Sequence, residues 1–241
     1  MSKFSRLVVA AAAALSFQAH ADLLIDDFTI SQATAISSVD GAGVWTHSTS
    51  GNNANILGGQ RDLFAQRDSG PDADSTIKTS AGGGALRFSQ DSDTRGTGIV
   101  RWDGDNTGAA IDTDGLGGKN LLAAGSQFNF LFKSDASNPF SPFLITIDAW
   151  DMSGKLATVT FETENTIGTM QPGFVNFNEF TTPVGFAWDN IGALQVTFNV
   201  NDPSAIDVDI TLGRTVVPEP ASLALAGLAL LGVGAARRRK A

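Results

Sequence analysis

The sequence predicts an all-β protein, an antiparallel β-sandwich of the jelly-roll kind, flanked by an N-terminal signal helix and a C-terminal single transmembrane helix. Three observations predict it. Apolar runs in the body are short and rich in Val, Ile, Phe and Thr. Gly, Asn, Asp, Ser and Thr punctuate the body throughout, and it holds no long stripe at the helical period. The two ends instead carry apolar runs beside basic residues, the pattern of processing segments.

The first segment is residues 1–21. Lys3 and Arg6 give it a basic start, Leu7–Phe17 is apolar, and Ala19-His20-Ala21 puts small residues where a signal peptidase reads them. An apolar run of about eleven residues is too short for a hydrocarbon layer of roughly 30 Å. A signal peptide cleaved after Ala21 is expected, with Ala19 and Ala21 as its determinants.

The body, residues 22–214, is expected to form one β-sandwich domain. Its candidate strands are Leu23–Ile30, Ala85–Ser89, Gly98–Trp102, Gln127–Lys133, Phe143–Trp150, Ala157–Glu162, Ala193–Val200 and Ala205–Leu212. Gly154 reads as the turn of a hairpin joining Phe143–Trp150 to Ala157–Glu162. Alternation is cleanest in Ile206-Asp207-Val208-Asp209-Ile210-Thr211-Leu212, and Leu194, Val196, Phe198 and Val200 repeat it. Many short strands with one apolar face pack as two sheets.

The tail is residues 215–241. It carries Pro218-Glu219-Pro220, then Ala221–Ala236 without a charge, then Arg237, Arg238, Arg239 and Lys240. As a helix, residues 221–236 reach roughly 24 Å, enough to span with thinning or with snorkelling arginines. The basic cluster stays cytoplasmic by the positive-inside rule, which agrees with export of the body.

Composition narrows the chemistry. The chain has no cysteine, so thiolate and disulfide chemistry are excluded. Of its two histidines, His20 lies in the leader and only His47 in the body, which excludes multi-imidazole metal sites. The whole-chain charge is -9, but the ends hold six basic residues and Glu219, so residues 22–217 carry -14. So acidic a body disfavours nucleic acid and favours solubility and hard cations.

The order Pro218-Glu219-Pro220, short apolar segment, arginine cluster resembles the PEP-CTERM sorting signal of Gram-negative bacteria. That resemblance implies processing by an exosortase, a transient stay in the inner membrane through the C-terminal helix, then release to the cell surface or extracellular matrix. Leu24-Ile25-Asp26-Asp27-Phe28 resembles the opening strand of jelly-roll carbohydrate-binding modules. Trp188-Asp189-Asn190-Ile191-Gly192-Ala193-Leu194 with Ile206–Leu212 resembles their closing strands. Leu57–Asp62, Arg101–Gly104 and Gly115–Leu121 are similar to segments of PEP-CTERM surface proteins.

No cofactor is required by any motif; calcium is the candidate structural ion. Asp-x-Asp pairs recur at Asp72/Asp74, Asp91/Asp93, Asp103/Asp105, Asp112/Asp114 and Asp207/Asp209. Oxygen ligands two apart in a loop suit calcium, while the plainer reading is turns whose Asp caps its own backbone. Asp103 and Asp105, with Thr107 and Asp114 following, partly match a calcium loop. Asp26 or Asp27 with Asp207 or Asp209 is the second candidate, because the resemblance implies that first and last strands lie together and hold calcium. Glu162 and Glu164 share a strand face, the one carboxylate pair a glycosidase reading can use. A Ser-His-Asp triad finds no elbow motif, and no catalytic residue is assigned. Trp45, Trp102, Trp150 and Trp188 are the candidate sugar platforms; Trp102 is the first choice, with Arg101 beside it.

The sequence thus points to an exported, non-enzymatic protein of the surface or exopolysaccharide matrix. Its expected partners are an exosortase-type protease and extracellular polysaccharide, with no nucleic acid. A carbohydrate-binding module and a secreted glycoside hydrolase are the competing readings.

Overall fold

The computed structural model describes residues 23–48, 53–105, 110–123, 125–134, 144–162, 170–200 and 206–216. The expected leader with Ala19 and Ala21, the Pro218–Pro220 motif, the 221–236 helix, the basic cluster 237–240, Thr107 and Glu164 lie outside these residues. Among the described residues no helix is long and apolar enough to cross a membrane.

The described residues form thirteen strands in chain order: β1 Leu23–Asp26, β2 Ala35–Ser37, β3 Gly43–His47, β4 Asp62–Ser69, β5 Ile77–Gly82, β6 Ala85–Gln90 and β7 Arg95–Trp102. Then come β8 Gln127–Ser134, β9 Leu144–Asp151, β10 Leu156–Glu162, β11 Gln171–Asn176, β12 Ile191–Val200 and β13 Ile206–Val216. The first sheet has the order β11-β8-β13-β6-β5-β2, with β1 also on β13; the second has the order β10-β9-β12-β7-β4-β3. All pairing between these strands is antiparallel. The fold is therefore the all-β, sandwich-like architecture that the alternation predicts.

The core lies between the sheets. Phe88 of β6 stacks on Phe198 of β12 at 5.6 Å, both almost fully buried. Gly98 of β7 makes that approach feasible, because a Cβ there would collide with the Phe88 ring and with Thr79. Ile145, Ile147 and Ala149 of β9 alternate inward, as do Leu63 and Ala65 of β4. A second aromatic group closes one end: Trp188 stacks on Phe177 at 4.3 Å and meets Phe180 and Phe186 edge-on. The expected hairpin is present, with β9 paired to β10 and Gly154 at φ +76° in the turn.

Two expectations shift. The opening strand stops at Asp26 rather than Ile30, because Phe28 takes φ +52° and donates its N–H to Asp26 Oδ1 at 2.8 Å. The closing strand runs to Val216, past the expected boundary at 214. It also changes neighbours: β6 flanks Ile206–Ile210, and β1 flanks Gly213–Thr215.

Candidate binding face and carboxylate cluster

Alternation in the second sheet sorts its residues onto two faces. Leu63, Val100, Trp102, Leu194 and Phe198 point into the core. Their neighbours point out, and the register aligns them in rows. His47, Asp62, Arg101, Gln195 and Asp148 form one row across β3, β4, β7, β12 and β9. Trp45, Phe64, Ile99, Thr197 and Thr146 form the next.

The outward rows are tied together. The Arg101 guanidinium lies over the Trp45 ring at 4.6 Å, and Phe64 packs on the same ring at 4.7 Å. Arg101 Nε donates to Gln195 Oε1 at 3.0 Å, and Gln195 Nε2 donates to Thr197 Oγ1 at 3.2 Å. Thr146 and Thr160 share a hydroxyl bond of 2.9 Å. Trp45 and Trp150 are both half-buried and stand toward opposite sides of this face. Burial holds the Asp148 carboxyl above its ordinary value, with a hydrogen bond from Thr158 opposing.

Trp102, the first-choice platform, faces the other way. It is 4% exposed, and its Nε1 donates to Asp26 Oδ2 at 2.9 Å inside the core. Adjacent strand residues must face opposite sides, so Arg101 and Trp102 cannot share one ligand surface. Trp188 is likewise committed to the aromatic group around Phe177.

The Asp26 carboxylate closes a buried network. Arg61, fully buried, donates Nη1 to Asp26 Oδ2 at 2.7 Å, Nη2 to the Ile30 carbonyl at 2.7 Å and Nε to Gln32 Oε1 at 3.1 Å. Burial pushes the Asp26 carboxyl above its ordinary value, while Arg61, Trp102 and the Phe28 N–H pull it back down. Asp26 is thus spent on an ion pair and is not free for a metal. First and last strands do lie together, but Asp26 faces Gly213, whereas Asp207 and Asp209 face Ser89 and Arg87 on β6. Gly213 lies four strand steps from Asp209, about 13 Å. Asp27 uses Oδ1 to bind the N–H and hydroxyl of Thr29. The side chains of Asp207 and Asp209 lie outside the described residues.

Two of the Asp-x-Asp pairs are the capped turns of the plainer reading: Asp72 Oδ1 accepts from the N–H groups of Asp74 and Ser75, and Asp112 Oδ1 from the Asp114 N–H. Asp91 Oδ2 instead accepts from Thr76, fifteen residues away. Asp103 also caps backbone, accepting from the Asp105 N–H at 3.5 Å and the Asp112 N–H at 3.2 Å, but Asp103 and Asp105 belong to a larger group as well. They meet Asp62, and carboxylate oxygens of the three lie within 4.8 Å of one another. His47 Nδ1 sits 2.8 Å from Asp62 Oδ1. Burial raises Asp62 to about 6 against the His47 bond, and raises Asp103 as well. Asp114, the expected twelfth ligand, is not among the three. Sequence reading missed Asp62 because nothing local joins it to Asp103; the β4–β7 register, with Asp62 opposite Arg101, does so.

Comparison with known proteins gives two findings. Residues 216–240 match the PEP-CTERM protein-sorting motif, which implies an exported protein. The fold is similar to that of solved β-sandwich carbohydrate-binding modules. With the family 11 module of a cellulosomal cellulase of Clostridium thermocellum, identity is 10%, covering 83% of this chain and 97% of the module, at a TM-score of 0.39. A family 30 carbohydrate-binding module gives 13% identity over 56% of this chain and 68% of its own, at 0.38. An agarase gives 11% over 59% of this chain and 22% of the enzyme, at 0.39. No curated protein matches in sequence.

Proposed function

We propose that this is an exported, non-enzymatic protein of the cell surface or exopolysaccharide matrix, delivered through its sorting tail by an exosortase-type protease. Its outward second-sheet face binds extracellular polysaccharide. The observation that carries this reading is the pairing of two half-buried tryptophans with a polar row on one face. Trp45 and Trp150 supply flat apolar rings, and Gln195, Thr197 and Asp148 supply donors and acceptors between them, while Arg101, 8% exposed, packs on Trp45 and holds Gln195. Sugars present the matching chemistry, C–H faces that stack on rings and hydroxyls that need fixed partners. Four strand spacings separate β3 from β9, about 19 Å, so the ligand that uses both rings is a chain of sugars rather than one.

The carboxylates support binding over hydrolysis. Asp62 and Asp148 stand three strand spacings apart in the same row, about 14 Å and beyond the separation glycosidases use. Asp62 is also fully buried, out of reach of a glycosidic oxygen.

The test is retention of purified protein on host exopolysaccharide. Trp45→Ala and Trp150→Ala should each lower retention several-fold while Trp102→Phe keeps it. Unchanged retention in both alanine variants would remove this face from the reading.

A further inference from the structure

We propose that Asp62, Asp103 and Asp105 hold a divalent cation, calcium by its ligand chemistry, where β4 begins and β7 ends. The inference is independent of polysaccharide binding. Two segments bring the ligands together: Asp62 opens β4, and Asp103 and Asp105 lie in the loop that follows β7. Their carboxylate oxygens fall within 4.8 Å of one another. Ligands on opposite sides of a calcium ion, each about 2.4 Å from it, are about 4.8 Å apart.

Two orphaned acceptors point the same way. Asp62 is 0% exposed; one oxygen is bound to His47, and Oδ2 accepts no hydrogen bond from any protein donor. Gln60 precedes it by two residues in extended chain, and its Oε1 is also buried without a donor. An ionised carboxylate can only accept, and leaving a buried acceptor unsatisfied is costly. Arg101 does not supply the missing donor. Its Nη1, on a side chain 9% exposed, stops 3.9 Å from Asp103 Oδ2 and makes no hydrogen bond itself. A guanidinium held just outside bonding distance is what a cation among the carboxylates would produce.

The charges agree. Three carboxylates against one guanidinium leave two negative charges, which a divalent ion cancels. All the available atoms are oxygens apart from His47, whose ring is engaged by Asp62. Oxygen sets favour calcium, magnesium or manganese over softer metals, and the spread of these oxygens suits the larger ion. The ion would fasten the start of β4 to the loop after β7, beside the Arg101–Trp45 stack.

The test uses the full chain, stripped with a chelator and titrated at pH 7.5 with terbium, whose emission the neighbouring Trp102 sensitises, then with calcium as competitor. Calcium should displace terbium, and Asp62→Asn and Asp105→Asn should each weaken calcium at least about tenfold. Asp72→Asn, in an acidic turn elsewhere, should leave the titration unchanged. Asp105→Asn keeps the His47–Asp62 pair, so it decides the matter if Asp62→Asn fails to fold. Wild-type affinity in Asp105→Asn, equal loss in Asp72→Asn, or no displacement by millimolar calcium would overturn the proposal.

Discussion

The buried Asp26–Arg61 pair makes the most discriminating stability prediction. Both side chains are 0% exposed, and Asp26 is the charged partner of the guanidinium; Ile30 and Gln32 offer it only neutral oxygens. Asp26→Asn strands a buried cation, which costs about 3–5 kcal/mol. For a domain of this size that lowers the melting temperature by roughly 6–20 °C. Arg61→Met behaves differently, because Asp26 keeps the Phe28 N–H and Trp102 Nε1 and can take a proton. Burial already holds this carboxyl above its ordinary value with Arg61 opposing, so removing Arg61 raises it further. The folded variant then keeps a proton that the unfolded chain has released. Its stability falls as pH rises from the unfolded value near 3.8 through the folded one, and returns on acidification.

The assay is urea unfolding of wild type and both variants at pH 7.5 and 5.0. The Arg61→Met deficit relative to wild type should shrink at pH 5.0, while the Asp26→Asn deficit should not shrink, since arginine stays charged throughout. A cost below about 1 kcal/mol for Asp26→Asn, or an Arg61→Met deficit indifferent to pH, would refute the claim that this pair is desolvated.

Two other outcomes follow from the chain's closing segment and its hairpin. The surface form from its own host should end near Pro218 by mass spectrometry; an intact Arg237–Arg239 tail on that form would count against sorting. Gly154→Ala should cost about 1 kcal/mol through its φ of +76°, since nothing lies within 4 Å of the added methyl and no packing is lost; a cost above about 3 kcal/mol in urea unfolding would contradict that geometry.

Strands with uninterrupted apolar rows were legible, and strands whose inward rows carry polar groups were not. β4 sends Leu63, Ala65 and Arg67 inward, and Arg67 survives there by donating to the carbonyls of Asp72 and Ser75. β5 buries Thr79 between Ile77 and Ala81, β11 contains Pro172 and Gly173, and β2 has three residues. None shows the period that reveals a strand. Within the candidate site, Asp103 and Asp105 are visible because they are neighbours in sequence, whereas Asp62 joins them only through strand register. The Trp102 reading failed on a signal that was present. Gly98, Val100 and Trp102 form one alternating row and Ile99 and Arg101 the other, so the tryptophan belongs with the valine in the core.

Register also connects the fold to the sorting tail. Leu23 pairs with Thr215, so the second residue after the expected signal cleavage and the residue before the 216–240 match leave the first sheet side by side. Trp102 lies at this same end, because its indole bonds Asp26 of β1, and Asp103 follows it. The Asp62–Asp103–Asp105 cluster therefore sits at the end to which the sorting tail is attached, and the β6–β7 connection at Asp91–Thr94 lies at the other, where β13 begins opposite Gln90. β13 is also the strand that β1, β6 and β8 all need as a partner, so it must be in place before the first sheet is complete. Its last paired residue, Val216, falls within the 216–240 match, which leaves almost no slack between the folded sheet and the motif. Pro218 and Pro220 lack the N–H that would extend the ladder, so the sheet has a chemical reason to stop short of the motif. A protease cutting beyond Val216 spares every described strand, whereas a cut at Gly213 removes the residues that hold β1 and the start of β8.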